Sequence, residues 1–253
     1  MKKALISAKG VCKSFAHNGG QIHILSGLDI ELYEGDFTVI MGASGSGKST
    51  MLYALSGLDR ATSGEIMYEG TDIAKASEKQ LAKLRHGDFG FIFQQMHLVS
   101  DLSMFENVTV PGYLNSSASS SDTEKRADEL FERMGISHIK KQLPSQCSGG
   151  EQQRCAIARA MINRPKLIFA DEPTGALNRK NTTEVLDLLT ELNKNGQSIL
   201  MVTHDARAAL RASRLIYIDD GKIIGDLSLE PYDHEQEKSR EKQVDAWLTS
   251  MEW

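Results

Sequence analysis

With 253 residues, the chain is long enough for one large domain or two small ones around a sizeable core. Its 40% hydrophobic and 25% charged residues are typical of a globular protein, and no run of roughly 18 apolar residues predicts a membrane span. The net charge of −5 argues against a nucleic-acid partner, because surfaces that bind nucleic acid are usually basic.

The number and spacing of the cysteines indicate in which cellular compartment the protein functions. Cys12, Cys147 and Cys155 form neither a CxxC pair nor a metal-ligand spacing, and such sparse cysteine use suits a reducing compartment. The apolar part of the N-terminal stretch is too short for a signal peptide, because Lys9 interrupts it. We therefore expect a cytoplasmic protein.

Residues 5–40 are predicted to form mostly strands. Around a bulge or turn at Ser26-Gly27, apolar residues alternate with polar ones as on one face of an antiparallel sheet, namely Ile22, Ile24, Leu28, Ile30 and Leu32. Phe15 lies just before a polar loop and has two interpretations: a platform that stacks adenine, or an ordinary core residue.

The next stretch fits the phosphate-loop pattern GxxxxGK[ST], with residues Gly42, Ala43, Ser44, Gly45, Ser46, Gly47, Lys48 and Ser49. An apolar predicted strand precedes it and a predicted helix that begins near Thr50 follows, as the pattern requires. Glycines let the backbone curl around an anion, and the helix N-terminus adds partial positive charge. Lys48 would reach the β- and γ-phosphates and the Ser49 hydroxyl would hold Mg²⁺, whereas the alternative is a chance Gly/Ser-rich turn.

A small helical insertion is predicted next. A helix over 77–85 precedes a buried strand over 89–93, which ends at Gln94-Gln95. Residues 103–106 and 121–124 both fit a capping box and should each begin a helix. The second helix carries apolar residues at helical spacing and ends at Gly135; they are Ala127, Leu130, Phe131 and Met134. Residues 115–120 are serine-rich and are predicted to form a flexible connector.

A second anion site is predicted at the start of another helix. Ser148, Gly149, Gly150 and Glu151 precede a helix with one apolar face, and Ser-Gly-Gly at a helix entrance offers free backbone N–H groups. Ser-Gly-Gly is also common as a plain turn with an N-cap.

Two adjacent carboxylates follow a four-residue predicted strand. Asp171 and Glu172 come directly after residues 167–170, at the end of a parallel strand where α/β sheets place ligands. Successive side chains leave a strand on opposite sides, so one acid can serve a metal while the other faces the substrate. The alternative is an acidic turn before a helix.

The rest of the chain predicts a helix over 182–195, closed by Gly196, and a strand over 199–202 that leads to His204. Asp220-Gly221 between two apolar runs predicts a two-residue hairpin. After a densely charged stretch, Val244, Trp247, Leu248 and Met251 recur at helical spacing. This last helix either packs on the body of the protein or docks a partner.

Together these motifs resemble the ATP-binding subunit of an ABC transporter over residues 5–227. The matching features are the phosphate loop 42–49, the glutamine loop at Gln94, the signature 148–152, the acidic pair Asp171-Glu172, the D-loop 176–178, the switch histidine His204 and the adenine-stacking position of Phe15. The resemblance implies an α/β fold, a P-loop NTPase (RecA-like) core with an antiparallel β subdomain and an inserted helical subdomain. It divides the chain into 1–93, 94–159, 160–229 and a charged tail over 230–253.

The same resemblance implies roles for individual residues. Lys48, Gln94, Glu172 and His204 would be catalytic, with Glu172 polarising the attacking water and His204 contacting the γ-phosphate. Mg²⁺ would be held by Ser49, Gln94 and, through water, Asp171. ATP would be contacted by Phe15, Gly42, Ala43, Ser44, Gly45, Ser46, Gly47, Lys48, Ser49, Thr50, Ser148, Gly149, Gly150 and Glu151.

It also implies two partners. A second copy would bind head to tail, so that the phosphate loop of one protomer and residues 148–150 of the other enclose one ATP. An integral membrane permease, FtsX- or MacB-like, would hold the dimer at the inner face of the membrane. The chain is most similar to the branch that serves lipoprotein release, macrolide export, FtsE-type signalling and antimicrobial-peptide resistance.

Other functions stay open. The alternatives are an ATPase that transmits force to an FtsX-like membrane protein and a soluble ABC-type ATPase that moves no solute. The transported substrate is not predicted, because specificity lies in the permease. Two departures from the family pattern are Cys147, in place of leucine, and Asn178, in place of the D-loop aspartate. Asparagine keeps an accepting oxygen but loses the charge, which affects communication between the two sites more than nucleotide binding.

Overall fold

Ten strands form two sheets in the part of the chain that the computed structural model describes, residues 2–17, 19–115 and 118–253. The strands are β1 (Ala4–His17), β2 (Gly20–Tyr33), β3 (Phe37–Met41), β4 (Ser63–Tyr68), β5 (Thr71–Asp72), β6 (Phe89–Phe93), β7 (Leu167–Asp171), β8 (Ser198–Val202), β9 (Arg214–Asp219) and β10 (Lys222–Ser228). The helices are α1 (Lys48–Ser56), α2 (Glu78–Gly87), α3 (Met104–Tyr113), α4 (Ser120–Arg133), α5 (Gly149–Met161), α6 (Arg179–Lys194), α7 (Ala206–Ala209) and α8 (Glu237–Ser250).

The two sheets differ in strand direction. The four-stranded sheet has the order β2-β1-β4-β5 and is antiparallel throughout. The six-stranded sheet has the order β10-β9-β3-β8-β7-β6, in which the five strands from β9 to β6 run parallel and only β10 is antiparallel. Every residue of β3, β7 and β8 is buried, because helices cover both faces of such a sheet. The α/β fold predicted from the sequence is therefore confirmed.

The parallel register brings the carboxyl ends of four strands to one edge. Phe93 of β6 lies opposite Asp171 of β7, which lies opposite Val202 of β8, and Val202 lies opposite Ile40 of β3. The segments that follow these strands therefore meet at the same edge, where open α/β sheets place their ligands.

Helices α3, α4 and α5 pack together as a helical layer that is joined to the parallel sheet. Its buried residues include Ala127, Leu130, Phe131 and Met134, as the helical spacing predicts. Helix α5 lies directly on β6 at Gly90, where a Cβ would be 2.7 Å from the Ala160 carbonyl oxygen. No helix among the described residues combines the length and apolarity needed to cross a membrane.

The predicted bulge in β2 is present, but the residues that precede it point to the opposite side of the sheet from the side that strict alternation predicts. Val11 of β1 pairs with Leu28 of β2, and Lys13 pairs with Leu25. Between these two pairs β1 advances by two residues and β2 by three, so β2 contains one extra residue. The extra residue shifts the alternation by one, because side chains alternate strictly along a strand. Leu25 is therefore buried while Ile22 is 45% exposed, so the prediction that Ile22 and Ile24 share the buried face was wrong.

Two helix starts differ from the predicted ones. Helix α4 begins two residues early because Ser119 is its N-cap and accepts a hydrogen bond from the Asp122 N–H at 3.1 Å, so a capping box over 121–124 was wrong. Of the predicted connector 115–120, Ser116 and Ser117 lie outside the described residues. Helix α6 starts at Arg179 rather than at 182, because the Asn178 Oδ1 accepts from the Asn181 N–H at 2.9 Å.

Three other local predictions agree with the structure. The capping box over 103–106 begins α3, and Asp220 and Gly221, with φ of 42° and 70°, form the turn between β9 and β10. The terminal helix α8 packs on the body, where Val244 and Leu248 join the core around the parallel sheet. The Arg240 guanidinium ties this helix down by donating to the carbonyl oxygens of Leu210, Ala212 and Glu230.

The contact between α5 and β6 yields a testable prediction. Gly90→Ala should lower the free energy of unfolding by about 1–3 kcal/mol, because the new methyl group forces the helix away from the strand. Urea denaturation measures the change. Gly87→Ala is the matched control, since a Cβ at Gly87 meets nothing within 4 Å. An equal loss in both variants would contradict the close packing at Gly90.

Candidate nucleotide-binding site

Residues 42–47 form a loop between β3 and α1 that is pressed against other strands. Gly42 and Gly47 have φ of 153° and 103°, which residues with a Cβ rarely adopt. A Cβ on Gly42 would lie 2.1 Å from the Ile218 carbonyl oxygen, and one on Gly47 would lie 3.0 Å from the Ile24 carbonyl oxygen. The loop can therefore lie this close to β9 and β2 only with glycine at these two positions. Ala43, Ser44 and Gly45, between them, are exposed.

The Lys48 ammonium lies inside the curve of this loop. Its Nζ donates to the carbonyl oxygens of Gly42 and Ala43, both at 2.8 Å. Burial lowers the pKa of Lys48, and the nearby Glu172 and Asp171 oppose that shift. The Ser46 hydroxyl is buried without a hydrogen-bond partner among the described residues. The loop thus holds a buried ammonium and a buried hydroxyl without a partner, and both groups suit the binding of a phosphate.

Both oxygens of the Asp171 carboxylate accept hydrogen bonds from α1. The Ser49 Oγ donates to Oδ1 at 2.7 Å, and the Tyr53 hydroxyl donates to Oδ2. Burial and the bond to Asp171 raise the pKa of Tyr53, so the phenol keeps its proton and remains a donor. Asp171 is only 9% exposed, so its orientation depends on these contacts.

The donor set at this edge fits a hard cation such as Mg²⁺. Ser49 and Asp171 place a hydroxyl and a carboxylate oxygen within hydrogen-bond distance of each other, and Mg²⁺ prefers oxygen ligands. Over residues 2–17, 19–115 and 118–253, no three His, Cys, Asp or Glu side chains cluster as metal ligands, so Mg²⁺ would also need phosphate and water oxygens.

Gln94 follows β6 and reaches the same edge of the sheet. It is one residue beyond Phe93, which pairs with Asp171. Its amide lies against the backbone of Gly175, where a Cβ would be 2.7 Å from the Gln94 Nε2. Gln94 is exposed, so its amide is not a buried group that needs an internal partner.

Glu172 is held by the residues that follow β8. The Thr203 hydroxyl donates to the Glu172 Oε2 at 3.2 Å, and the His204 Nδ1 lies 3.0 Å from the Glu172 Oε1. Glu172 has φ of 47°, a conformation that costs a residue other than glycine about 1–3 kcal/mol. Its backbone N–H donates to the Val202 carbonyl oxygen at 2.9 Å, which helps to hold this conformation. Each oxygen of the Glu172 carboxylate therefore has its own side-chain partner, Thr203 for Oε2 and His204 for Oε1.

Phe15 lies on β1 outside the core. Its ring is 44% exposed, and the Lys13 Nζ lies 4.7 Å from the ring centroid. Lys13 also donates to Asp59, beyond the end of α1, at 2.6 Å. The exposure excludes the interpretation of Phe15 as a core residue, and base stacking on this ring stays a prediction.

The Ser-Gly-Gly-Glu stretch begins α5 through a reciprocal capping box. The Ser148 Oγ accepts from the Glu151 N–H at 3.4 Å, and the Glu151 Oε2 accepts from the Ser148 N–H at 2.8 Å. Hydrogen bonds from Ser148 lower the pKa of Glu151 to about 2, and His138 contributes through its Nε2, 2.8 Å from Oε1. Gly150 packs against α6, where a Cβ would lie 2.6 Å from the Asn181 side chain.

The predicted residues therefore fall into two groups. At the carboxyl edge of the parallel sheet Ser49 is hydrogen-bonded to Asp171 and His204 to Glu172, and the Lys48 ammonium interacts electrostatically with both acids. Thr50 lies in the first turn of α1. Residues 148–151 lie on the helical layer, and no hydrogen bond between described residues joins them to residues 42–49. One chain thus carries two candidate anion sites, one at the start of α1 and one at the start of α5.

Sequence reasoning missed two members of this site. Tyr53 contacts Asp171 and Thr203 contacts Glu172, and neither residue belongs to the motifs that point to nucleotide chemistry. Tyr53 had a detectable signal, because it lies four positions after Ser49 in a predicted helix and side chains at that spacing share one face.

Comparison with known proteins gives one consistent family. The family model described as "ABC transporter" matches residues 25–175. The macrolide export ATP-binding/permease protein MacB of Wolinella succinogenes is 45% identical over 223 residues, which is 88% of this chain and 34% of that protein. MacB of Pasteurella multocida is 39% identical over 253 residues, 100% of this chain and 38% of that protein. The chain thus spans about a third of the length of the curated relatives that it matches.

Solved structures show the same similarity. A dimeric post-hydrolysis state of the ATP-binding cassette MJ0796, bound to ADP and Pi, has a TM-score of 0.82 at 36% identity and covers 90% of this chain and 100% of that one. CbiO1 of Clostridium perfringens, part of an ABC transporter complex, has a TM-score of 0.80 at 28% identity over 96% and 93% of the two chains.

The capping box of α5 predicts a pH-dependent stability. The pKa of Glu151 is about 2 in the folded protein, below its ordinary value of 4.5. Ionised Glu151 therefore stabilises the fold above pH 4.5, and this contribution is lost as the pH falls towards about 2. Glu151→Gln should flatten the fall in stability between pH 6 and 3, measured by urea denaturation.

The control for this prediction is Glu65→Gln on β4, which should follow the wild-type pH dependence because Glu65 is exposed and takes no part in the capping box. If Glu151→Gln and the wild type lost stability in parallel, Glu151 would not be the group responsible.

Proposed function

The chain belongs to the ABC transporter family, and on that basis we propose that it binds and hydrolyses ATP to power a membrane permease. The observation that carries this proposal is the grouping of four residues at one edge of the sheet: Ser49 donates to Asp171, and the Lys48 ammonium interacts electrostatically with Asp171 and Glu172. A phosphate-binding ammonium, oxygen ligands for a cation and an oriented carboxylate are the groups that phosphoryl transfer to water needs.

The residues divide the chemistry among them. Lys48 binds the β- and γ-phosphate oxygens with its buried ammonium, and Phe15 stacks the adenine. Ser49, Gln94 and, through water, Asp171 would hold Mg²⁺, which when bound would neutralise charge that develops on the phosphates. Glu172 polarises the attacking water, and His204 contacts both the Glu172 carboxylate and the γ-phosphate. Positioning and charge stabilisation supply most of the rate.

The active form is a head-to-tail dimer. Within one chain no hydrogen bond between described residues joins the phosphate loop to residues 148–151, which is consistent with each forming one part of a nucleotide site. A second copy supplies Ser148, Gly149, Gly150 and Glu151 from the start of its α5. The neighbouring cassette MJ0796 is described as dimeric, which supports this arrangement.

The dimer works at the inner face of the membrane on an FtsX- or MacB-like permease. Support comes from relatives named as macrolide export ATP-binding/permease proteins, of which this chain matches about a third. The names of these relatives favour macrolide export as the process that the dimer powers, whereas a role in antimicrobial-peptide resistance rests on the sequence resemblance alone. The working division of the chain is 1–93, 94–159, 160–229 and 230–253, with Gln94 at the entry to the helical part.

Glu172→Gln tests the proposal. The variant should bind ATP with an affinity close to that of the wild type, hydrolyse it at least about 100-fold more slowly and accumulate as an ATP-bound dimer, because only the group that polarises water is lost. Phosphate release and analytical ultracentrifugation with ATP measure these effects.

The matched control is Glu191→Gln on α6, which is exposed and pairs with Arg133 away from the site. It should hydrolyse ATP at the wild-type rate and show no stabilised dimer. Wild-type turnover in Glu172→Gln would remove Glu172 from the catalytic role.

A further inference from the structure

Helix α1 presents two hydroxyl groups to one carboxylate. Ser49 and Tyr53 are four residues apart and therefore lie on the same face of the helix, one turn after the other. The Ser49 Oγ donates to the Asp171 Oδ1 at 2.7 Å, and the Tyr53 hydroxyl donates to the Asp171 Oδ2. Each carboxylate oxygen thus has its own donor from the same helix.

These two bonds determine how the carboxylate is turned. Asp171 is the last residue of β7, and its side chain makes no other hydrogen bond within the described part of the chain. With Ser49 alone, the carboxylate could rotate about the Cβ–Cγ bond and still keep one donor. With Tyr53 as well, both oxygens are fixed relative to α1, and through α1 relative to the phosphate loop.

Tyr53 lies between the apolar core and Asp171. Its ring is partly buried and packs against the apolar cluster that contains residues of α1 and of both sheets. The phenol is therefore attached to the core at one end and to the carboxylate at the other. An aromatic residue with one polar end is suited to such a connection, because the ring is held by packing while the hydroxyl sets an orientation.

We propose that Tyr53 is a positioning residue for the Mg²⁺ site, acting through Asp171 without being a ligand. This inference rests on the proposed function, in which Ser49 and Asp171 hold the cation. Groups that hydrogen-bond to a metal ligand fix its orientation, and their removal typically weakens metal binding by about 10- to 100-fold. Tyr53 therefore contributes to cation affinity through its hydroxyl and to folding through its ring.

Tyr53→Phe separates the two contributions, since it removes the hydroxyl and keeps the ring. We expect the dissociation constant of Mn²⁺ for the ADP-bound protein to rise about 10-fold. It is measured from the loss of the free Mn²⁺ electron paramagnetic resonance signal beyond the loss that ADP alone causes. ADP affinity in EDTA should stay at its wild-type value, because it does not involve the orientation of the carboxylate towards a cation. Urea denaturation serves only to show that the variant is folded, since the loss of a hydrogen bond to a buried carboxylate itself lowers stability.

The matched control is Tyr33→Phe. The Tyr33 hydroxyl also donates to a carboxylate, that of Glu31 at 2.6 Å, but this pair lies on β2 and is exposed. Its Mn²⁺ affinity should equal that of the wild type. An unchanged Mn²⁺ affinity in Tyr53→Phe, or a weakening matched by an equal loss of metal-free ADP binding, would overturn the positioning role.

Failure of the proposed function gives a different result. If the wild-type protein itself bound no Mn²⁺ with ADP, the cation site would be wrong. If the wild type bound Mn²⁺ with ADP and Tyr53→Phe bound it equally well, the cation site would stand and only the role of Tyr53 would fall.

Discussion

The parallel pairing of β7 between β6 and β8 is the constraint on which the site depends. Parallel strands end at the same edge, and the register places Phe93, Asp171 and Val202 side by side. The residues that follow these positions are Gln94, Glu172 and Thr203, which are distant in sequence and adjacent at this edge. If β7 slipped by one residue against either neighbour, its acidic side chain would move to the other face of the sheet, because side chains alternate along a strand.

The phosphate loop reaches this edge because two glycines allow close contact with other strands. Gly42 lies on the end of β9 and Gly47 lies on β2, so the loop is supported by both sheets. The turn between β9 and β10 adds a hydrogen bond from the Gly221 N–H to the Ser46 carbonyl oxygen at 3.1 Å. This rigid support holds the Lys48 ammonium close to Asp171 and Glu172, so that charges of opposite sign are concentrated where the phosphates and the cation bind.

The helical layer carries the second anion site and shares one apolar core with the parallel sheet. Gly90 allows α5 to lie on β6, and the Arg159 guanidinium of α5 donates to the carbonyl oxygens of Met96 and His97, beyond Gln94. Through these contacts the segment that follows Gln94 is attached to the helix whose first turn holds Ser148. In the proposed function, a change at the cation site would therefore reach the helix that closes on the partner's nucleotide.

The sequence by itself determined the features whose chemistry is local. The phosphate loop, the capping boxes of α3 and α5 and the turn at Asp220-Gly221 each depend on residues within a few positions of one another. Only the tertiary structure decided that Leu25 and not Ile22 faces the core, because a single extra residue in β2 shifts the alternation. It also decided that Tyr53 holds Asp171, since 118 residues separate the two and only the packing of α1 against β7 brings them together.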